Sequence, residues 1–143
     1  APILSFTTEE IFSIINKNDR SIHLEKFVKV PNSWNNKNLN EKWTILKKIR
    51  DNCNISIEEK RAEKIIGSSL EAKIEVKLKS KLYEIAKNID FAELCITSEA
   101  QISEDKKISE DISVITFKAE GQKCPVCWKI KKSKCERHGH ILQ

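Results

Sequence analysis

Cys124, Cys127, Cys135 and His138, spaced C-x2-C-x7-C-x2-H near the end of the chain, constrain its folding more than any other feature. Zinc takes four tetrahedral nitrogen or sulfur ligands, and a C-x2-C turn brings two thiolates to one ion while backbone amides bond the sulfurs. Two such knuckles joined by a short basic loop close a four-ligand site. That site has no open position, so it folds the segment and performs no chemistry. His140 is the rival fourth ligand; His138 is preferred because it repeats the two-residue spacing of the first knuckle. A disulfide framework belongs to secreted, cysteine-dense chains, whereas Cys53 and Cys95 lie on apolar stripes and read as small buried hydrophobes. A redox C-x-x-C needs a strand before it and a helix after it. The following Trp128-Lys129-Ile130-Lys131-Lys132 and a third nearby cysteine favour a metal.

The same segment carries the charge. The chain has a formal net charge of +5, from 26 basic and 21 acidic residues. Residues 1–117 hold 19 of each sign, whereas residues 118–143 hold seven basic side chains and two acidic ones. The whole excess therefore sits in the tail, which points to an anionic partner there, with nucleic acid the common case. The bland reading is a solvated basic tail. Trp128, flanked by lysines, is placed either to stack on a splayed base or to pack against the metal loop.

The rest of the chain has room for one compact domain. Its 143 residues contain no Met and open on Ala1-Pro2-Ile3-Leu4, which suggests an excised part of a longer polypeptide. No apolar run is long enough to span a bilayer, and no basic-then-apolar leader pattern begins the chain. Thr7-Thr8-Glu9-Glu10 fits a capping box for a helix ending near Asn16. Residues 17–40 read as an irregular connection containing His23, an ordinary surface or packing histidine. Asn40 then caps a longer helix on which Trp43, Leu46, Ile49, Cys53 and Ile57 form one apolar stripe. Ala72, Ile74, Val76 and Leu78 alternate with charged residues, predicting a half-buried strand. Leu82, Ile85, Ala86 and Ile89 return to helical spacing. Residues 91–97 read as a second strand, 98–111 as a polar loop and 112–118 as a third strand. The fold class is α+β: helices, then a small β-α-β-β unit, then the cysteine-rich end.

A resemblance adds to this reading. Ala1-Pro2-Ile3-Leu4-Ser5-Phe6-Thr7-Thr8-Glu9-Glu10, Ser21-Ile22-His23-Leu24, Glu41-Lys42-Trp43, the stretch Lys60-Arg61-Ala62-Glu63-Lys64-Ile65-Ile66-Gly67-Ser68-Ser69-Leu70-Glu71-Ala72 and Cys124-Pro125-Val126-Cys127-Trp128-Lys129 occur in this order at the C-terminal end of bacterial isoleucyl-tRNA synthetases. The resemblance implies the end of a helical anticodon-binding domain at 1–66, a small α/β junction at 67–118 and a terminal zinc finger at 119–143. It also implies a cytoplasmic, monomeric class I enzyme that ligates isoleucine to tRNA(Ile) with ATP. That catalysis would lie elsewhere in the synthetase chain: His138-Gly139-His140-Ile141 is not HIGH, and Lys131-Lys132-Ser133-Lys134 is not KMSKS. This part would grip the anticodon arm through Trp128, Lys129, Lys131, Lys132, Lys134 and Arg137. Lys47, Lys48 and Arg50 are lesser candidates, since helix charges are more often a solvated face. The sequence departs from the family pattern in having His138 where the fourth ligand is usually Cys, and in a shorter segment between the knuckles. The rival is a stand-alone zinc-stabilised nucleic-acid-binding or adaptor module, whose finger also resembles that of formamidopyrimidine-type DNA glycosylases.

Overall fold

The alternation at 72–78 produces the strand around which the second half of the molecule is arranged. The computed structural model describes residues 2–17 and 20–139. It divides into two compact units, one ending at Asn36 and one beginning at Lys37.

In the first unit, helix α1 spans Ser5–Asn16 and none of its residues is buried. The expected capping box does not form. The helix begins two residues before Thr7, with Leu4 at its N-cap and no side-chain cap. The Leu4 carbonyl instead accepts from the Thr8 amide at 2.9 Å and the Thr8 hydroxyl at 2.7 Å. Glu9, not Glu10, makes the structural contact: its carboxylate accepts from Ser21 Oγ at 2.9 Å and from the Ile22 amide at 3.0 Å. His23 Nε2 lies 3.9 Å from that same carboxylate, at the surface. Among the described residues the connection is irregular only as far as Asn36, apart from two short 3-10 turns at Ile22–Leu24 and Asn32–Trp34, and residues 37–40 of the expected stretch belong to the next helix.

The second unit opens with helix α2, Lys37–Ala62. It starts three residues before Asn40, which therefore lies inside the helix, its carbonyl accepting from Thr44 Oγ1 at 2.9 Å. The predicted stripe is real: Leu46, Ile49, Cys53 and Ile57 are buried, and Trp43 ends it half-exposed. Lys60 and Arg61 occupy the last turn, where positive charge complements the helix dipole.

The stripe packs on a three-stranded sheet of order β2-β1-β3. Strand β1 is Ala72–Leu78 and buries its alternate residues, as predicted. Strand β3 is Ile112–Lys118 and pairs antiparallel with it, Ile74 opposite Thr116 and Val76 opposite Val114. Strand β2, Glu99–Glu104, pairs parallel on the other side. Parallel pairing needs a crossover, supplied by α3 (Ser80–Ala86) and the single turn α4 (Phe91–Leu94).

Two expectations fail in this crossover. Residues 91–94 form α4 rather than a strand, because the Asp90 carboxylate accepts from the Glu93 amide at 3.1 Å and starts a turn that buries Phe91. Residues 98–111 are not all loop: β2 lies among them. It is an edge strand whose apolar residues Ala100 and Ile102 alone pack against the core, so its alternation is short and surrounded by acids.

The core joins the α2 stripe to Ala72, Ile74, Val76 and Leu78 of β1, with Phe91, Cys95 and Ile112 closing its sides. Cys53 and Cys95 lie within it, as small buried hydrophobes should. The buried Thr116 hydroxyl is partnered by Ser56 Oγ at 2.8 Å. Among the described residues no helix is long and apolar enough to cross a membrane.

Ile74 has no exposed surface on the central strand. Ile74→Ala is expected to lower the unfolding free energy by about 2–5 kcal/mol. Ser113→Ala, on the open sheet face, should change it by less than about 0.5 kcal/mol. Urea denaturation of the two variants checks both figures.

Candidate metal centre and nucleic-acid interface

Beyond β3 the chain has too few apolar residues to form a core of its own. It makes a small ribbon instead: β4 (Gln122–Lys123) pairs antiparallel with β5 (Ile130–Lys131). Gly121 makes the ribbon possible. Its φ is +125°, and a Cβ there would stand 2.2 Å from the Lys131 carbonyl oxygen. Between the strands, Cys124-Pro125-Val126-Cys127 folds as a tight turn. The Trp128 amide donates to the Cys124 carbonyl at 2.9 Å, and the Cys124 amide donates to the Lys129 carbonyl at 3.0 Å. A second turn closes on Cys135, whose carbonyl accepts from the Gly139 amide at 2.7 Å.

The two turns bring the predicted quartet together. The donor atoms of Cys124, Cys127, Cys135 and His138 all lie within 4.8 Å of one another. Cys127 Sγ is 3.8 Å from Cys135 Sγ, and His138 Nδ1 is 3.7 Å from Cys124 Sγ and 3.6 Å from Cys135 Sγ. A tetrahedral ion with metal–sulfur bonds of about 2.3 Å and metal–nitrogen bonds of about 2.0 Å has edges of about 3.8 Å between sulfurs and about 3.5 Å from sulfur to nitrogen. The quartet therefore fits a four-coordinate metal ion, and the seven-residue segment between the knuckles is long enough to close it. The Cys127 backbone amide, followed by that of Val126, holds the Cys124 thiol down at about 6. Cys127 moves the other way. The Lys129 amide lowers it, but burial and the neighbouring Cys124 and Cys135 sulfurs outweigh that. His140 lies outside the described residues.

The expected nucleic-acid-facing residues divide into two groups. Trp128 is 58% exposed, with Lys123 Nζ 5.4 Å from its ring centroid, a cation–π contact. Trp128 also has a φ of +63°, a conformation that bulky residues rarely adopt. Lys132 and Lys134 are exposed, as is Arg137, while Lys131 is half-buried on β5. Lys132 reaches Glu120 at 2.7 Å, which holds the Glu120 carboxyl below its usual range. Lys47 and Lys48 lie on the solvent side of α2.

Lys129 and Arg50 form the other group. Lys129 is largely buried, and its Nζ is 2.6 Å from Glu93 Oε1, which keeps the Glu93 carboxyl below its ordinary value. Arg50 Nε donates to the Leu94 carbonyl at 3.0 Å, at the end of α4. Both cations are engaged within the body of the unit. Sequence reasoning missed Lys123, although it directly precedes the first ligand. It also missed Glu93 and Ser98, which contact the tail from residues far away in the chain.

The family model for the anticodon-binding domain of tRNA ligases matches residues 1–76. The chain is 61% identical over 138 residues to the isoleucine--tRNA ligase of Pelagibacter ubique, covering 96% of this chain and 15% of that protein. The isoleucine--tRNA ligase of Zymomonas mobilis is 33% identical over 129 residues, covering 90% of this chain and 13% of its own length. That of Bartonella quintana is 38% identical over 138 residues, with 90% and 14% covered. The chain thus spans only about one seventh of the length of these relatives.

A Cβ at Gly121 would collide with backbone, not with a flexible side chain. Gly121→Ala should therefore weaken metal binding by the tail at least about tenfold, the effect of a backbone displaced from ligand geometry. Gln122→Ala, at an exposed ribbon position, should leave it unchanged. Chelator competition on the two variants measures the difference.

Proposed function

We propose, on the premise that this chain belongs to the family of tRNA-ligase anticodon-binding domains, that it is the C-terminal tRNA-binding part of an isoleucyl-tRNA synthetase. The observation that carries this reading is the likeness to isoleucine--tRNA ligases over 96% of the chain, through the body and the metal tail alike. A stand-alone module is disfavoured by the same observation. Residues 1–66 are the end of the helical anticodon-binding domain, 67–118 the α/β junction and 119–143 the terminal finger. The whole cytoplasmic, monomeric enzyme ligates isoleucine to tRNA(Ile) with ATP, and that chemistry belongs to parts of the synthetase outside this sequence.

The metal is Zn2+, held by Cys124, Cys127, Cys135 and His138. When bound, it supplies a closed structural clamp and no reactive position. The chain's own residues do the rest. Trp128 offers an indole face to a base of the anticodon arm. Lys123, Lys131, Lys132, Lys134 and Arg137 surround it with positive charge for phosphates, Lys132 being paired with Glu120 and Arg137 close enough to Glu93 to help hold its carboxyl down. Lys47 and Lys48 on α2 extend the basic surface away from the tail.

Purified protein should contain about one zinc per chain, as a four-ligand site requires, and His138→Ala should lower that content. Metal-free protein with an unchanged, ordered tail would remove the clamp. Replacing Lys131, Lys132 and Lys134 together by Ala should weaken binding of a tRNA(Ile) transcript. It should also reduce the slope of log K against log salt by about 2 to 3, one unit or slightly less per lost phosphate contact. An unchanged slope would take the basic loop out of the interface.

A further inference from the structure

The metal ribbon is joined to the body by more than its covalent link. The buried Ser98 hydroxyl accepts from the Ile130 amide at 2.6 Å and donates to the Leu70 carbonyl, so a body side chain reads the backbone of β5. Beside it, Lys129 is drawn in against Glu93, with only 15% of its side chain exposed. At the near end of the tail the Ala119 amide donates to the Glu71 carbonyl at 2.7 Å. These three contacts hold the tail at two separated places, residue 119 and the adjacent residues 129 and 130.

Lys129 follows Trp128 immediately and Ile130 follows Lys129. Both side-chain contacts therefore act on the segment that aims the exposed indole. A loop held in its binding orientation binds more tightly than one that must be ordered on contact, because less freedom is lost. A lysine that is mostly covered and already held by a carboxylate is also poorly placed to neutralise a phosphate.

We propose that Glu93 and Ser98 are positioning residues for nucleic-acid binding, which latch the metal ribbon to the body through Lys129 and the Ile130 amide so that Trp128 and the tail's exposed cations face the RNA in a fixed orientation. This inference rests on the tRNA reading above. It removes Lys129 from the set of RNA-contacting residues and gives it an internal role.

The charges at the pair make the idea testable, because electrostatics and latching predict opposite signs. Glu93→Lys adds positive charge to a surface that binds a polyanion, so simple attraction would tighten binding. A latch is broken by the same change. With zinc-loaded full chain and an unmodified tRNA(Ile) transcript as probe, Glu93→Lys and Lys129→Glu should each weaken binding about tenfold or more. The double variant Glu93→Lys/Lys129→Glu should recover to within about threefold of the parent, as restored partners in a coupled pair do. Tighter or unchanged binding by Glu93→Lys overturns the proposal, as does a double variant no better than Lys129→Glu. If the reversal at Glu93 costs the chain its zinc, Glu93→Gln carries the test, with zinc retained and binding down about threefold expected; unchanged binding overturns the latch. If the parent chain binds no tRNA, the functional reading fails and the latch is judged alone: amide exchange at Ile130 should quicken in Ser98→Ala and Glu93→Gln, and unchanged exchange overturns it.

Discussion

Strand β1 is paired on both edges, and nearly everything else in the second unit depends on that. Its backbone groups face β2 on one side and β3 on the other, so none is left to water or to a partner. Its side chains divide by parity. Ala72, Ile74, Val76 and Leu78 meet the α2 stripe, while Lys73, Glu75 and Lys77 lie on the open face. A slip of one residue would exchange these sets and bury three charges, so the register is strongly specified. The start of β1 also anchors the residues around the tail: the Leu70 and Ala72 carbonyls accept from the Ser98 hydroxyl and amide, and the Glu71 carbonyl accepts from the Ala119 amide at the tail's near end.

The tail meets a different constraint. About twenty residues beyond Ala119 cannot bury enough apolar surface to offset the entropy of ordering them. Four converging donor side chains would solve that problem, because binding of a metal ion there would make binding and folding one equilibrium. The arrangement leaves most of the tail's lysines outside, with Lys118, Lys123, Lys132 and Lys134 exposed. A small metal-clamped ribbon can therefore be basic on nearly every surface and remain folded, as a hydrophobic core of the same length could not.

The legible parts of the sequence are those where one period governs one element. The parity of 72–78, the strand at 112–118 and the stripe from Leu46 to Ile57 reappear in the structure at the same residues. The ligand quartet was legible because its chemistry and its spacing are both local. What escaped was set by distant partners or by short-range competition. Strand β2 sits at an edge, where only Ala100 and Ile102 need to be apolar, so its signal drowned in acids. At 91–97 a β-rich composition lost to the cap at Asp90. At 7–10 a good capping sequence lost to a helix that began earlier, at Ser5. Lys129 looked like its lysine neighbours because Glu93, which engages it, lies 36 residues away.

Trp128 sits in left-handed backbone, where a bulky side chain is disfavoured by sterics alone. That conformation is held by the bonds its neighbours make: its own amide to Cys124, and the Cys124 amide to the Lys129 carbonyl. With φ fixed in this way, the indole has only two side-chain torsions left to it. A long basic side chain has four or more and loses correspondingly more entropy when it is immobilised. The tail therefore presents two kinds of contact with different thermodynamic character. In the interface proposed above, the lysines would adapt to varied phosphate positions at an entropic cost each time. In the proposed tRNA interface the tryptophan would be a nearly rigid plane, its aim set by left-handed backbone rather than by free torsions.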